Sequence, residues 1–124
     1  PVIQSDGKLS FIIPDGPLKD GPYGIPEPVL GLKVEPRNLD MVLIPLVAAD
    51  LSGNRIGHGA GFYDKTFSFH RSEGSPCLVG LAHEFQIVPS LDPEPWDVPL
   101  DFIVTEKTIY EVGMNHIRTS MGED

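Results

Sequence analysis

Met41-Val-Leu-Ile-Pro-Leu-Val47 is a run of seven apolar residues with no polar break. A strand with one solvated face alternates apolar and polar residues, whereas a continuous apolar run is the pattern of a strand buried on both faces of a parallel sheet. Pro45 argues against a helix here, because a proline inside a helix removes a hydrogen bond and its ring collides with the preceding turn. Leu78 to Ala82 and Phe102 to Thr105 are further short apolar runs that can pair with it, and Phe62 to Phe69 has the composition of a short helix. Strand, helix, strand, loop, strand predicts an α/β fold: an open, mostly parallel sheet flanked by short helices.

The remaining chain is loop-rich, since Gly and Pro together supply 26 of 124 residues. Lys8 to Ile13 reads as a strand, and the proline-punctuated stretch from Pro14 to Pro28 reads as a loop. A second proline-rich loop covers Val88 to Pro99, Thr108 to Tyr110 forms a short strand, and the tail from Asn115 is a polar, irregular end. A chain of this length forms one domain. Because the sequence opens at Pro1, residues 1–124 are expected to be the C-terminal portion of a larger single domain whose N-terminal part is absent.

Charge narrows the possible partners. The formal net charge is −9, with only nine Lys and Arg, which excludes a general nucleic-acid binder that would need clustered cations along a phosphate backbone. An anionic ligand must be held locally. No apolar run approaches a membrane span and no signal peptide is visible, so a cytoplasmic protein is expected. The single cysteine, Cys77, cannot form an internal disulfide and reads as a small buried hydrophobe.

Gly57-His58-Gly59-Ala60-Gly61 carries the main chemical signal. Residues without a Cβ can turn successive backbone N–H groups into one concavity, which suits a phosphate, and a helix beginning near Phe62 would add its N-terminal dipole. The pattern is neither a P-loop nor a dinucleotide fingerprint, and a tight turn between packed elements explains the glycines equally well. The flanks favour a ligand. Arg55 and Lys65 bracket the glycines with positive charge, and Phe62 and Tyr63 offer flat surfaces for a ring. Asp64 fits either the first turn of a helix or a magnesium ion between carboxylate and phosphate. Asp97 and Asp101 form a second acidic pair, in which Asp101 is either a turn residue or a further oxygen ligand. His58, His70, His83 and His116 do not have zinc spacing. His83 and Glu84 follow the strand end at Ala82, where open α/β sheets place ligands, although surface polarity accounts for them too. Trp96 could line a cleft or pack in a loop. No hydrolase triad is present, and no residue is assigned as a catalytic nucleophile.

Four blocks occur in order: Gly24-Ile-Pro-Glu-Pro28, Asp40-Met-Val-Leu-Ile-Pro45, Arg55 through Lys65, and Val79-Gly-Leu-Ala82 with Gln86 through Asp97-Val-Pro-Leu-Asp-Phe-Ile-Val-Thr-Glu106. In combination, from about Phe11 to Tyr110, the chain resembles the 5-formyltetrahydrofolate cyclo-ligase family. The resemblance implies an ATP-dependent, magnesium-requiring closure of 5-formyltetrahydrofolate to 5,10-methenyltetrahydrofolate, with a reduced formyl folate as the small-molecule substrate. It implies that Arg55, Ile56, Gly57, His58, Gly59, Ala60, Gly61, Phe62 and Tyr63 surround the ATP phosphates, with His58 to Phe62 also bordering the folate, and that Asp64 and Asp101 hold magnesium. Ala60 stands where some members carry lysine, and Trp96 where the family often has histidine. The alternative expectation is a non-catalytic module of the same fold that binds a nucleotide or a folate, completed by the missing N-terminal segment or by a partner chain.

Overall fold

The computed structural model describes residues 1–21, 24–57, 61–113 and, for the backbone alone, 116–120. The strands in chain order begin with β1 (Val2–Ile3), β2 (Leu9–Pro14), β3 (Leu18–Asp20), β4 (Pro26–Pro28) and β5 (Gly31–Val34). They continue with β6 (Met41–Pro45), β7 (Ala48–Ala49), β8 (Arg55–Ile56) and β9 (Cys77–Leu81). The series ends with β10 (Phe102–Val104), β11 (Thr108–Glu111) and β12 (His116–Ser120). Two short helices, α1 (Phe62–Thr66) and α2 (His70–Glu73), lie between β8 and β9.

The main sheet has the order β12-β11-β10-β9-β6. Its β6–β9 and β9–β10 pairings are parallel, while β10–β11 and β11–β12 are antiparallel. The protein is thus α/β, with a parallel half built from the three apolar runs and an antiparallel edge. The tail expected to be irregular supplies that edge strand. The proline-rich stretch before Pro28 also holds more order than expected, since β3 pairs antiparallel with β4. The helix expected over Phe62 to Phe69 is divided, with α1 closing at Phe67 and α2 ending at Gly74, whose φ of 71° is left-handed.

The register places Val42, Ile44, Leu78, Ile103 and Tyr110 on one face of the main sheet. There they join Leu46, Ala49, Phe67, Val98 and Leu100 in a single core. Phe67 is fixed from the other side by Phe11, at a ring separation of 5.7 Å. The Thr66 hydroxyl accepts from the Leu9 N–H at 2.7 Å and donates to the Phe62 carbonyl at 2.7 Å. One buried side chain thereby closes α1 and attaches it to the β1-β2-β5 sheet.

The opposite face is only partly covered: Val79, at its centre, is buried, but the residues around it are not. Met41, Leu43, Leu81 and Ile109 share it by register, and they are 58%, 55%, 43% and 36% exposed. This corrects the expectation that Met41 to Val47 is buried on both sides. The strand does lie in a parallel sheet, but no helix among the described residues covers its second face, so its burial alternates residue by residue.

Candidate functional site

The site begins at a turn built by one carboxylate. Asp50, almost fully buried, accepts at Oδ1 from the N–H groups of Ser52 and Asn54 at 3.0 Å each, and at Oδ2 from Leu91 N–H at 2.9 Å. Gly53 completes the turn at φ 87°, and a Cβ there would lie 2.8 Å from the Leu100 carbonyl oxygen. Only glycine permits that approach. The Leu100 N–H donates back to the Gly53 carbonyl at 3.0 Å, so the turn is docked on the Val98–Leu100 segment.

That docking decides where Arg55 goes. Its Nη1 donates to the Val98 carbonyl and its Nη2 donates to Asp64 Oδ1 at 2.8 Å. The same Asp64 oxygen accepts the Val98 N–H at 2.9 Å. The Arg55 and Asp64 side chains are only 8% and 16% exposed. Arg55 is therefore a charge-compensated clamp between β8, α1 and the Val98 segment, and it also borders the glycine cleft.

Gly57 and Gly61 flank the loop tip, and neither has a heavy atom within 4 Å of where a Cβ would stand. Gly61, at φ 68°, turns the chain into α1. With five residues, α1 has one turn and only a small dipole. His58, Gly59 and Ala60 lie outside the described residues. The loop borders a cleft of about 410 Å³ lined by Arg55, Ile56, Gly57, Gly61, Phe62, Tyr63 and Asp64 on one side. Asp92, Glu94, Trp96 and Asp97 line the other, and Pro45 places the cleft at the C-terminal end of β6, where open α/β sheets seat ligands. Trp96, 66% exposed, is a cleft residue and not a packing residue.

Of the two carboxylates assigned to magnesium, only Asp64 lines this cleft. Asp101 Oδ2 is paired with His70 Nε2 at 2.8 Å and accepts the Leu78 N–H at 2.8 Å. His70 itself is buried. Among the described residues no group of three His, Cys, Asp or Glu could hold a metal ion unaided. Magnesium commonly arrives with a phosphate ligand and one or two carboxylates. Asp64, whose Oδ2 has no hydrogen bond among the described residues, fits that role; Asp101 would first have to release His70. Lys65 does not reach the glycine cleft and lines the two clefts beside it. The Asp97 side chain accepts from the Glu94 N–H at 2.9 Å, ordering the acidic wall.

His83 and Glu84 have structural partners. Glu84 accepts from the Thr105 hydroxyl at 2.6 Å and from the Tyr110 hydroxyl, tying the 3-10 turn Glu84–Gln86 to β11. The His83 N–H donates to Gln86 Oε1 at 2.7 Å in a capping box, and its ring stacks on Phe85. Cys77 is half-buried on the open sheet face, with its thiol pKa raised by burial and then by the negative Asp101. Burial, reinforced by the hydrogen bond and charge of Glu84, pushes the Tyr110 phenol up to about 12. Tyr63 is also raised by burial, opposed by Arg55.

Tyr110 makes stability depend on alkaline pH. The unfolded chain releases this proton near 10.0 while the folded protein keeps it to about 12. Its contribution is therefore complete below the unfolded value and is lost as pH rises through that window. In a titration followed by phenolate absorbance, Tyr110 is expected to ionise near 12, with Tyr110→Phe removing that late step. A Tyr110 step at the ordinary 10.0 would contradict the Glu84 contact.

The model of the 5-formyltetrahydrofolate cyclo-ligase family matches residues 1–106. The 5-formyltetrahydrofolate cyclo-ligase of Haemophilus influenzae is 48% identical over 90 residues, covering 71% of this chain and 48% of the relative. That of Escherichia coli K12 is 39% identical over 112 residues, covering 86% and 60%. The solution structure of Aquifex aeolicus 5,10-methenyltetrahydrofolate synthetase superposes with a TM-score of 0.71 at 34% identity, covering 89% of this chain and 56% of that one. The chain spans about half the length of the relatives it matches. With its glycine cleft at the strand ends and a family match over most of its length, the chain belongs to the 5-formyltetrahydrofolate cyclo-ligase family.

Proposed function

We propose that this chain is the nucleotide-handling part of an enzyme that converts 5-formyltetrahydrofolate to 5,10-methenyltetrahydrofolate using ATP. The observation that carries the reading is the glycine-bordered cleft at the end of β6, in a chain matched by the family model. Phosphoryl transfer to the formyl oxygen makes that oxygen a leaving group, and attack by N10 closes the ring with release of phosphate. Such chemistry needs alignment and charge neutralisation more than a protein nucleophile. Gly57 and Gly61 border the cleft with open space beside their Cα atoms. Phe62, Tyr63 and Trp96 give the cleft flat walls, and Asp64 Oδ2 is available to a magnesium ion carried with the nucleotide. Among the described residues no helix is long and apolar enough to cross a membrane.

The cleft's electrostatics support the view that further residues complete it. Asp64 already neutralises Arg55, while Asp92, Glu94 and Asp97 add negative charge to the opposite wall. A nucleotide polyphosphate would meet net repulsion there without magnesium and without cations supplied from elsewhere. The open face of the main sheet has the same implication, since a layer packed on it would make this chain one portion of a larger single domain. These two observations also favour the second reading, a non-catalytic module that binds a nucleotide or a folate.

The test is appearance of methenyltetrahydrofolate absorbance with ATP and magnesium. The 124-residue chain would be assayed alone and mixed with the portion of the H. influenzae cyclo-ligase that it does not match. Product is expected only from the mixture. Folded components that bind ATP yet form no product would favour the binding module.

A further inference from the structure

Two neighbouring residues of α2 hold one wall of the glycine cleft from outside it. His70 Nε2 meets Asp101 Oδ2 at 2.8 Å, and the Arg71 guanidinium donates from Nη2 to the Asp97 carbonyl. The short helix is thus a clip across residues 97–101, whose apolar members Val98 and Leu100 are buried. On the cleft side the same segment is gripped by Arg55, which donates to the Val98 carbonyl, and by Asp64, which accepts the Val98 N–H. Asp97 and Val98 therefore present successive carbonyls to two guanidinium groups, one from α2 and one from β8.

What Arg71 holds is the seat of Trp96. The Asp97 N–H donates to the Glu94 carbonyl at 3.0 Å, and Asp97 Oδ2 accepts the Glu94 N–H at 2.9 Å, closing a turn with Pro95 and Trp96 at its corner. Trp96 is 66% exposed, so packing does little to hold its ring. The turn beneath it does, and that turn is fixed at its Asp97 end. Arg71 does not line the glycine cleft; with Trp96 it borders the neighbouring cavity of about 420 Å³. A hydrogen bond from a charged donor is about twice as strong as a neutral one, which suits Arg71 to fixing a wall that it shares with no ligand of the glycine cleft.

We propose that Arg71 is a positioning residue of the glycine cleft. Its hydrogen bond to the Asp97 carbonyl fixes the Trp96 turn, and so sets the spacing between Trp96 and the wall formed by Phe62 and Tyr63. A planar ring gains from two flat walls only when both stand at contact distance. The consequence for ligand binding rests on the nucleotide reading above, whereas the ordering of Trp96 does not.

Trp96 is the only tryptophan, so its fluorescence reads the seat with no ligand present. In the whole chain carrying Arg71→Met, the fast local component of its anisotropy decay is expected to grow at least about twofold, as a side chain freed on the nanosecond scale does. The thermal midpoint should stay near that of the wild type, because Arg71 is exposed. Arg71→Lys keeps a cationic donor and should restore most of the order. Arg37→Met, which frees α2 from its Glu73 ion pair, should leave Trp96 unchanged. Magnesium ATP is then titrated into each protein, and binding about three- to tenfold weaker in Arg71→Met, the scale of one aromatic contact, is expected, with recovery in Arg71→Lys. Identical anisotropy in wild type and Arg71→Met overturns the proposal. So does equal loosening in Arg37→Met, which would assign the effect to α2 as a whole, or a loosened Trp96 with undiminished binding. If Trp96 loosens as expected but magnesium ATP binds neither wild type nor variant, the nucleotide reading falls and the positioning of Trp96 by Arg71 stands.

Discussion

Asp64→Ala is expected to destabilise the protein by about 3 kcal/mol, the scale for breaking one side of a buried ion pair. Against a total of roughly 5–15 kcal/mol for a domain of this kind, that is a large fraction. Two groups lose their partner together. Arg55, 8% exposed, keeps its charge with only the Val98 carbonyl to accept from it, and the N–H of Val98, itself 1% exposed, loses its acceptor. Asp64→Asn should cost less, because its amide oxygen can still accept from Val98, although the charge compensation is gone. Denaturant midpoints would rank the wild type above Asn and Asn above Ala. The double replacement Arg55→Met/Asp64→Leu should recover part of the loss, since a hydrophobic pair leaves no stranded charge. Equal stability of Ala and wild type would show that the carboxylate is spare and stands at the cleft purely for a ligand. The position thus carries two duties, one oxygen for the clamp and one for the cleft, and activity lost on its substitution reports a ligand role only in variants matched for folding.

This double duty was half legible in the sequence. That Asp64 sits beside the glycines follows from its place in the chain, and the oddity of a carboxylate next to a phosphate loop pointed to a cation. The nearer cation is Arg55, nine residues back. The pairing depends on the turn at Gly53 folding the strand against Val98, a contact across more than 40 positions that no local pattern encodes. Asp101 shows the same limit, because His70 approaches it across 31 positions only after β9 and β10 have paired. The strands themselves were readable because their apolar runs are short and stop at polar residues such as Asp40, Asp50, His83, Asp101 and Glu106. The pair β3–β4 was not, since prolines at its borders suppress any strand signal while still allowing an edge ribbon. The clustering of Lys8, Lys33 and Lys65 around the clefts beside the glycine site was invisible for another reason: they are far apart in sequence, Lys8 in the turn before β2, Lys33 in β5 and Lys65 in α1. Met41 to Val47 misled most usefully, since an all-apolar strand announces two apolar environments and this chain provides only one.

That second environment leads to the other large effect. Met41, Leu43, Leu81 and Ile109 stand between 36% and 58% exposed on one continuous face. Fully burying such a side chain contributes roughly 1.5–3 kcal/mol, so a layer covering all four would stabilise the fold by about 3–6 kcal/mol. An apolar patch of this kind on a free surface also promotes self-association. The portion of the H. influenzae relative that this chain does not match amounts to about half that protein, and we expect it to supply the layer. Adding it should raise the chain's thermal midpoint and suppress dye binding to exposed apolar surface. Leu43→Lys/Leu81→Lys separates covering from mere proximity. In the chain alone these exposed substitutions should change stability by less than about 0.5 kcal/mol while reducing self-association. In the mixture they should abolish the gain, because two ammonium groups would have to be buried against the incoming layer. A midpoint that rises equally with and without the lysines would place the added segment on another surface and leave the open face to a different occupant.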